Sequence, residues 1–173
     1  MPDVSRRAGL AGAFCACIAA TLLPAAPSLA HAGEATPTDM LTGIYREAVK
    51  GEYPDWLKPQ QRTKFLSKSL LALWARCDAR KAPDDDTGPI DFDPTTDTNG
   101  LELESFTITR QNATANAAVL AVKLNYRKPY YRPGPPAVVT YDFVQEEGHW
   151  RIDNFHTTKW SIREMLTQWL KKQ

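Results

Sequence analysis

The spacing of apolar residues changes part-way along this 173-residue chain. Up to about residue 80 the apolar side chains recur at helical spacing, and after residue 101 they recur at every second position until a last helical pattern closes the chain. Helical patterns that are segregated from strand patterns are typical of α+β domains, in which helices pack on one face of an antiparallel sheet. The pattern therefore predicts one domain with two helices, four strands and a final helix.

Two helices are predicted before the sheet. The first follows Thr36, which can cap a helix N-terminus, and it starts at Pro37 and stops at Gly51. The second runs from about Pro59 to Arg80. Its apolar stripe consists of Leu66, Leu70, Leu73, Trp74 and Cys77. A cysteine on such a stripe behaves as a small hydrophobe, so Cys77 is expected to be buried and unreactive.

Four antiparallel strands follow a loop rich in Asp and Pro. Two alternating runs of opposite phase meet near Ser105, which predicts a bulge there. Residues Leu120–Tyr126 are apolar on both faces and therefore indicate a central strand. The segment 146–149 predicts a tight hairpin, and Ser161 with Glu164 predicts a capping box for the final helix. The expected fold is a curved, cone-like four-stranded sheet with the N-terminal helices packed on it and a short C-terminal helix.

The N-terminus has the features of a cleavable signal peptide. Arg6 and Arg7 precede an uncharged apolar run, and residues 30–32 form a small-residue cleavage site. The arginine pair also resembles a twin-arginine export signal, so the Sec and twin-arginine routes both stay open. We expect residues 1–32 to be removed and residues 33–173 to form a single periplasmic domain.

Composition and motifs narrow the function. Residues 33–173 carry equal numbers of basic and acidic side chains with no concentrated basic patch, which excludes a typical nucleic-acid binder. Cys77 is the single cysteine in that range, so no intramolecular disulfide is possible there. The sequence has no nucleophile elbow, no Cys–His pair at a known spacing and no Gly-rich phosphate loop. We therefore predict no catalytic residue and no cofactor, and we expect His149 to be a solvated turn residue.

Two sets of acidic residues are candidate sites. Hard cations bind several carboxylate oxygens, which the loop offers at Asp91, Asp93 and Asp97, but the spacing does not match a calcium loop. The competing interpretation is a loop whose aspartates cap turns. Cone-like folds can also hold an isomerase-type pocket with an Asp base and a Tyr donor. The residues available for that role are Asp142, Asp153 and Tyr126, although both aspartates are expected on the solvent face.

A proline-rich connection between two predicted strands, residues 127–136, is the candidate contact surface for a partner. Prolines restrict this backbone, which lowers the entropy lost on binding. Tyrosine and arginine dominate interface energetics. The candidate partner-binding residues are Arg127, Tyr130, Tyr131 and Arg132. The alternative is that both tyrosines fold back and cover the sheet.

Two patches carry a resemblance to a known family. Gly88–Pro94 and Thr140–Asp153, together with the export signal, resemble the bacterial envelope family called domain of unknown function 3828. That family is similar to the nuclear-transport-factor-2-like and cystatin-like cone folds. Relatives tend to continue after Asp93-Pro94 with an aromatic residue and an Asn-x-Gln-Asp stretch, where this chain has Thr95–Gly100. The resemblance implies the fold and an envelope location, and it brings no established activity.

These observations favour a non-catalytic exported envelope protein that acts as a protein-interaction or accessory module, with another envelope protein as its partner. One alternative is a small-molecule-binding or isomerase-like protein that uses the concave pocket. Another is an immunity protein against an envelope-acting toxin. A deep apolar cavity would favour ligand binding. A concave face filled by Trp and Leu side chains would favour the interaction module.

Overall fold

The structure, a computed structural model, describes residues 35–80, 88–128 and 136–171. Its helices are α1 (Pro37–Val49), α2 (Pro59–Phe65), α3 (Lys68–Asp78) and α4 (Ile162–Lys171). Its strands are β1 (Leu103–Ala113), β2 (Ala117–Tyr126), β3 (Val138–Glu146) and β4 (His149–His156). The four strands form an open antiparallel sheet in the order β1-β2-β3-β4, which confirms the predicted fold class.

The first helix begins as the sequence predicts. The Thr36 hydroxyl accepts a hydrogen bond from the Asp39 amide at 3.2 Å, and the Asp39 carboxylate accepts one from the Thr36 amide at 3.0 Å. Pro37 follows the cap, where its missing N–H leaves no bond unmade. Gly51, at φ +86°, takes the left-handed conformation just beyond the helix, which favours glycine. The buried face consists of Leu41, Ile44, Tyr45 and Ala48.

The second predicted helix is wrong as a single element, because it is broken into α2 and α3 at Leu66 and Ser67. Leu66 is extended and bridges to Ile152 of β4, and the Ser67 amide donates to the Ile152 carbonyl at 2.9 Å. The Ser67 hydroxyl then caps α3 by accepting from the Leu70 amide at 3.0 Å. Here backbone pairing with β4, a strand distant in sequence, interrupts the helix. The helical spacing of the apolar residues continues through the break and gives no sign of it.

Three predicted features of the sheet are observed in the structure. The β1–β2 ladder shifts between Leu103 and Ser105, which confirms a bulge there, at Glu104. Strand β2 lies between β1 and β3, which confirms its central position. At the β3–β4 hairpin Glu147 and Gly148 both have positive φ, at 54° and 85°, as a two-residue turn of the mirror-image type requires.

The start of α4 is capped from the neighbouring strand. The Ser161 hydroxyl donates to the Asn154 side-chain oxygen at 3.3 Å, and the Arg163 amide donates to the same oxygen at 3.2 Å. Ser161 also pairs with His156 through an isolated bridge, which holds it beside β4. Asn154 thus takes the place of the capping box predicted from Ser161 and Glu164.

The helices cover one face of the sheet and fill the space against it. The largest fully buried side chains include Tyr141, Phe143 and Phe155 from the sheet and Tyr45 and Trp74 from the helices. Tyr141 stacks on Phe155 with ring centroids 5.6 Å apart. Side chains of this size leave the interior closely packed, and this packed layer is called the interior below.

Cys77 is part of the same layer. It is buried, as predicted, and its sulfur lies 3.4 Å from the Leu166 carbonyl oxygen of α4. Burial raises the pKa of the thiol above its usual value. Within the described ranges, none of the helices combines the length and apolar character that a membrane crossing requires.

Candidate functional site

A buried polar network holds residues 88–100 against the interior. The Tyr45 hydroxyl donates to the Thr95 carbonyl at 2.9 Å and lies 2.9 Å from the Tyr141 hydroxyl. Burial raises the pKa of both tyrosines, so both stay protonated under ordinary conditions. The Trp56 indole donates to the Thr95 hydroxyl at 2.8 Å. Each of these buried groups therefore has a partner within the protein.

Tyr126 belongs to this network as well. Its hydroxyl donates to the Thr96 carbonyl at 2.7 Å. It stands at the opposite end of β2 from Val119, which pairs with Asp142. The structure therefore does not bring Tyr126 together with Asp142, as an isomerase-type site would require.

The two aspartates of that candidate site have structural partners. The Asp142 carboxylate lies 3.4 Å from the Asn154 amide nitrogen and 3.5 Å from Nε2 of His156. The Asp153 carboxylate accepts a hydrogen bond from the Ser67 hydroxyl at 2.6 Å and forms an ion pair with Arg163. Both aspartates are half-buried rather than fully on the solvent face. They stabilise the α3–β4–α4 junction and the β3–β4 ladder.

The acidic loop agrees with the turn-capping interpretation at Asp93. The Asp93 carboxylate accepts hydrogen bonds from the amides of Thr95 and Thr96 at 2.9 and 3.2 Å. Burial raises the pKa of Asp93, although these donors oppose the shift. The Asp97 carboxylate accepts from the Trp160 indole at 2.6 Å, and Asp91 is exposed. Among the described residues no group of three His, Cys, Asp or Glu side chains is arranged to hold a metal ion.

The proline-rich connection is only partly described. Tyr130, Tyr131 and Arg132 lie outside the described residues, so their role in partner binding stays a prediction. The Arg127 amide donates to the Glu102 carbonyl at 2.8 Å, and its guanidinium lies 3.6 Å from the Glu102 carboxylate. These contacts extend the β1–β2 pairing by one residue pair, Glu102 with Arg127, toward the proline-rich connection.

A groove of about 730 Å³ opens between α1 and α2, and we call it the α1–α2 groove. Its apolar wall is formed by Met40, Ile44, Tyr53, Pro54 and Phe65. Charged side chains stand around it, with Asp39, Glu47 and Glu52 on one side and Lys64 and Arg151 on the other. A concavity of this size with a mainly apolar wall and a few polar groups is typical of binding sites.

Gly43 lies in the middle of α1 and lines this groove. A Cβ atom added there would have nothing within 4 Å. Glycine inside a helix is less favourable than alanine by about 0.5–1 kcal/mol, and packing among the described residues does not explain why glycine stands here. The bare backbone at Gly43 leaves open space beside the helix in this groove.

A second cleft of about 570 Å³, which we call the aromatic cleft, lies between the loop after α1 and residues 90–99. Its rings are those of Tyr53, Trp56, Trp74 and Phe92. Its polar side chains are those of Asp55, Asp91, Asp93 and Asn99. The remaining lining residues are Pro54, Leu57, Ile90 and Pro94, so none of the described Lys and Arg residues lines this cleft.

The loop between α1 and α2 separates the two cavities, because Tyr53 and Pro54 line both. Tyr53 is 44% exposed and Leu57 is 67% exposed, so two large apolar side chains of this loop are open to solvent. Trp56, between them, is buried and fixes the loop through its bond to Thr95. Helical and strand periodicity identify this segment only as a connection. The one signal of a surface site in the sequence is its density of apolar residues, in Tyr53-Pro54-Asp55-Trp56-Leu57.

Comparison with known proteins leaves the family open. No family model matches the chain, and no curated protein matches it. A solved structure of a phospholipid-binding protein from Ralstonia solanacearum, in complex with a phospholipid, is similar to 80% of this chain and 86% of its own, with 14% identity and a TM-score of 0.43. A similarity of this size assigns neither a family nor a ligand to this chain. The resemblance to domain of unknown function 3828 therefore stays a hypothesis.

Proposed function

We propose that this protein is an exported, non-catalytic interaction module that binds an apolar segment of another envelope protein in the α1–α2 groove. The observation that carries the proposal is the open, apolar groove beside Gly43, a helix position left without a side chain although there is room for one. Export is supported by the signal-peptide features of residues 1–32.

The character of the groove favours a protein segment. Its apolar wall offers a place for large apolar anchors, which carry most of the binding energy in protein interfaces. The acidic side at Glu47 and Glu52 and the basic side at Lys64 and Arg151 would fix the orientation of a segment that has charges at both ends. The expected partner segment is therefore apolar, with basic residues at one end and acidic residues at the other.

The packed interior supports an external site. Tyr141, Phe143 and Phe155 line neither the groove nor the aromatic cleft, and they are buried under the helices. The Tyr45 and Tyr141 hydroxyls bond to each other and to the loop backbone, so they are not offered to a ligand. A ligand or partner would therefore bind on the outer surface of the protein.

A substitution at Gly43 tests the proposal without threatening the fold. Gly43→Trp would fill the groove, whereas Gly43→Ala adds a single methyl group at the same position and serves as the matched control. Tagged wild-type, Gly43→Ala and Gly43→Trp proteins are purified from the periplasm, and the proteins that co-purify with each are identified by mass spectrometry. We expect a partner retained by wild type and Gly43→Ala and lost with Gly43→Trp. A partner held equally by all three variants would exclude the groove.

The volume of the groove also favours a second candidate, a small apolar ligand. Ligand pockets commonly enclose about 300–1,000 Å³, a range that includes this groove. Native mass spectrometry of the protein purified from the periplasm, followed by organic extraction, separates the two candidates. A stoichiometric extractable ligand that Gly43→Trp abolishes would favour the small molecule over the protein segment.

Processing is tested separately. The mature protein is expected to begin at Gly33, because Ala30 and Ala32 supply the small residues that signal peptidase needs. N-terminal sequencing of periplasmic material measures this directly. A chain that still begins at Met1, or that carries lipid on Cys15 or Cys17, would contradict export by a cleavable signal.

A further inference from the structure

The aromatic cleft combines ring faces with carboxylates, and its character differs from that of the α1–α2 groove. We propose that the aromatic cleft binds a small organic cation, that is, a protonated amine or a quaternary ammonium ion. This site does not depend on the function proposed for the groove, although both share the wall formed by Tyr53 and Pro54.

The rings give such a cation an apolar but electrostatically favourable surface. Trp56 and Trp74 form the floor, where they are almost fully buried and already contact Phe155 and Arg62. Tyr53 is 44% exposed and Phe92 is half-buried, so these two rings offer most of the open aromatic surface. The face of an aromatic ring carries negative charge density, so a cation within about 6 Å of its centre is attracted. Clusters of aromatic rings around one cavity are the usual means of recognising quaternary ammonium groups.

The carboxylates supply the full charges. The Asp91 side chain is exposed and has no ion-pair partner among the described residues. The Asp55 carboxylate pairs with Lys58 at 3.1 Å, which lowers its pKa and keeps it ionised. That pair is exposed on both sides and is therefore weak, so a bound cation can share the Asp55 carboxylate with Lys58.

A cation of the protein that lies against the floor of the cleft is already neutralised. The Arg62 guanidinium lies over the Trp74 ring at 4.8 Å, and the Asp78 carboxylate balances its charge through two hydrogen bonds. Arg62 thus covers part of the Trp74 ring, with its charge balanced within the protein. In the α1–α2 groove, by contrast, Lys64 and Arg151 stand among the lining residues together with three carboxylates, so the charge there is mixed.

The test compares choline with dimethylbutanol, its uncharged isostere, in titrations of the mature protein followed by NMR of the tryptophan indole N–H signals at constant ionic strength. We expect choline to shift the signals of Trp56 and Trp74 in a saturable way and to leave those of Trp150 and Trp169 unchanged. The isostere is expected to produce no saturable shift. Equal shifts with both compounds, or no shift with choline, would overturn the proposal.

Three variants assign the effect to the cleft. Asp91→Asn and Phe92→Leu are each expected to weaken choline binding about two- to fivefold. Glu104→Gln removes an exposed carboxylate outside the cleft and is expected to leave the affinity unchanged. Asp91 is exposed, so its substitution leaves the fold intact and the result stays interpretable even if Phe92→Leu unfolds. Unchanged affinity in Asp91→Asn would overturn the proposal.

Two further arms distinguish a small-cation site from a lipid surface and from the groove. Choline groups also occur on lipid headgroups, so phosphatidylcholine vesicles are tested in flotation assays. Flotation with vesicles in the absence of any response to free choline would overturn the small-cation proposal in favour of a membrane surface. Gly43→Trp is expected to keep its response to choline, because Gly43 lines the groove and not the cleft. Failure of the groove proposal would therefore leave this one standing, and the reverse also holds.

Discussion

The interior and the two external cavities use the same kinds of side chain in opposite ways. In the interior, the Tyr45 and Tyr141 hydroxyls bond to each other and their rings pack against neighbouring rings. Around the loop between α1 and α2, Tyr53 and Leu57 are exposed beside open cavities. Aromatic residues are numerous in both regions, so their number does not distinguish a core from a binding surface. The distinction lies in exposure, because Tyr45 and Tyr141 are fully buried whereas Tyr53 and Leu57 are open to solvent.

The largest expected effect comes from opening the interior. Tyr141→Ala would remove a fully buried ring that contacts Tyr45, Phe143 and Phe155. A loss of about 3–5 kcal/mol in the free energy of unfolding is expected from the cavity left behind. Denaturant unfolding measures it, with the exposed Val138→Ala as a control expected within about 0.5 kcal/mol of wild type. A small effect of Tyr141→Ala would mean that the interior is already loose enough to accept a ligand.

Alkaline pH provides a second test of the closed interior. Burial raises the folded-state pKa of Tyr45 and Tyr141, whereas in the unfolded chain both ionise near pH 10. The unfolded state therefore releases protons that the folded state keeps, and stability falls as pH rises above about 10, by about 1.4 kcal/mol per pH unit for each tyrosine. Unfolding measured from pH 8 to 11 reports the slope. The Tyr141→Phe protein should show a shallower decline, and an equally steep one would assign it to other groups.

Thr95→Val tests the link between the interior and the loop. The substitution keeps the shape of the side chain but removes the hydroxyl that accepts the Trp56 indole N–H. A buried donor left without an acceptor destabilises the fold by about 1–3 kcal/mol. Thermal unfolding measures the loss. The double variant Trp56→Phe/Thr95→Val should lose less stability than the sum of the two single variants, because both remove the same hydrogen bond. Full additivity would mean that this hydrogen bond does not hold the loop.

The smallest expected effect is a gain in stability. Gly43→Ala should raise the free energy of unfolding by about 0.5–1 kcal/mol, because alanine is the better helix residue and its methyl group meets nothing. The melting temperature of the purified protein measures this, and Thr42→Ala on the same helix offers a comparison in which no glycine is replaced. A fall in stability would show that the space beside Gly43 is occupied in the folded protein.

The sequence predicted most features whose signal is local, although Asn154 replaces the capping box expected from Ser161 and Glu164. The Thr36 cap, the bulge beside Ser105 and the hairpin at Glu147 and Gly148 depend on a few neighbouring residues, and all are confirmed. The break at Leu66 and Ser67 depends on pairing with Ile152, which is distant in the chain, so no local pattern reveals it.

The candidate site was harder to predict, for the same reason. The α1–α2 groove exists because Gly43, Tyr53 and Phe65 come from three separate segments that meet only in the fold. The aspartates that the sequence did single out as a possible metal site are engaged at Asp93 and Asp97 by nearby amide and indole N–H groups. Acidic composition alone does not tell a capped turn from a binding site.

The break between α2 and α3 also affects how exposed one edge of the sheet is. An exposed sheet edge is a template for pairing with a second chain, and such pairing leads to aggregation. The Ser67 amide occupies the Ile152 carbonyl on the outer edge of β4, so this edge is partly covered by the chain itself. At the opposite edge, bulges at Glu104 and Gln111 restrict the regular part of β1 to Ser105–Arg110. The interrupted helix and the two bulges thus make both edges of the open sheet less suitable for pairing with the strands of another molecule.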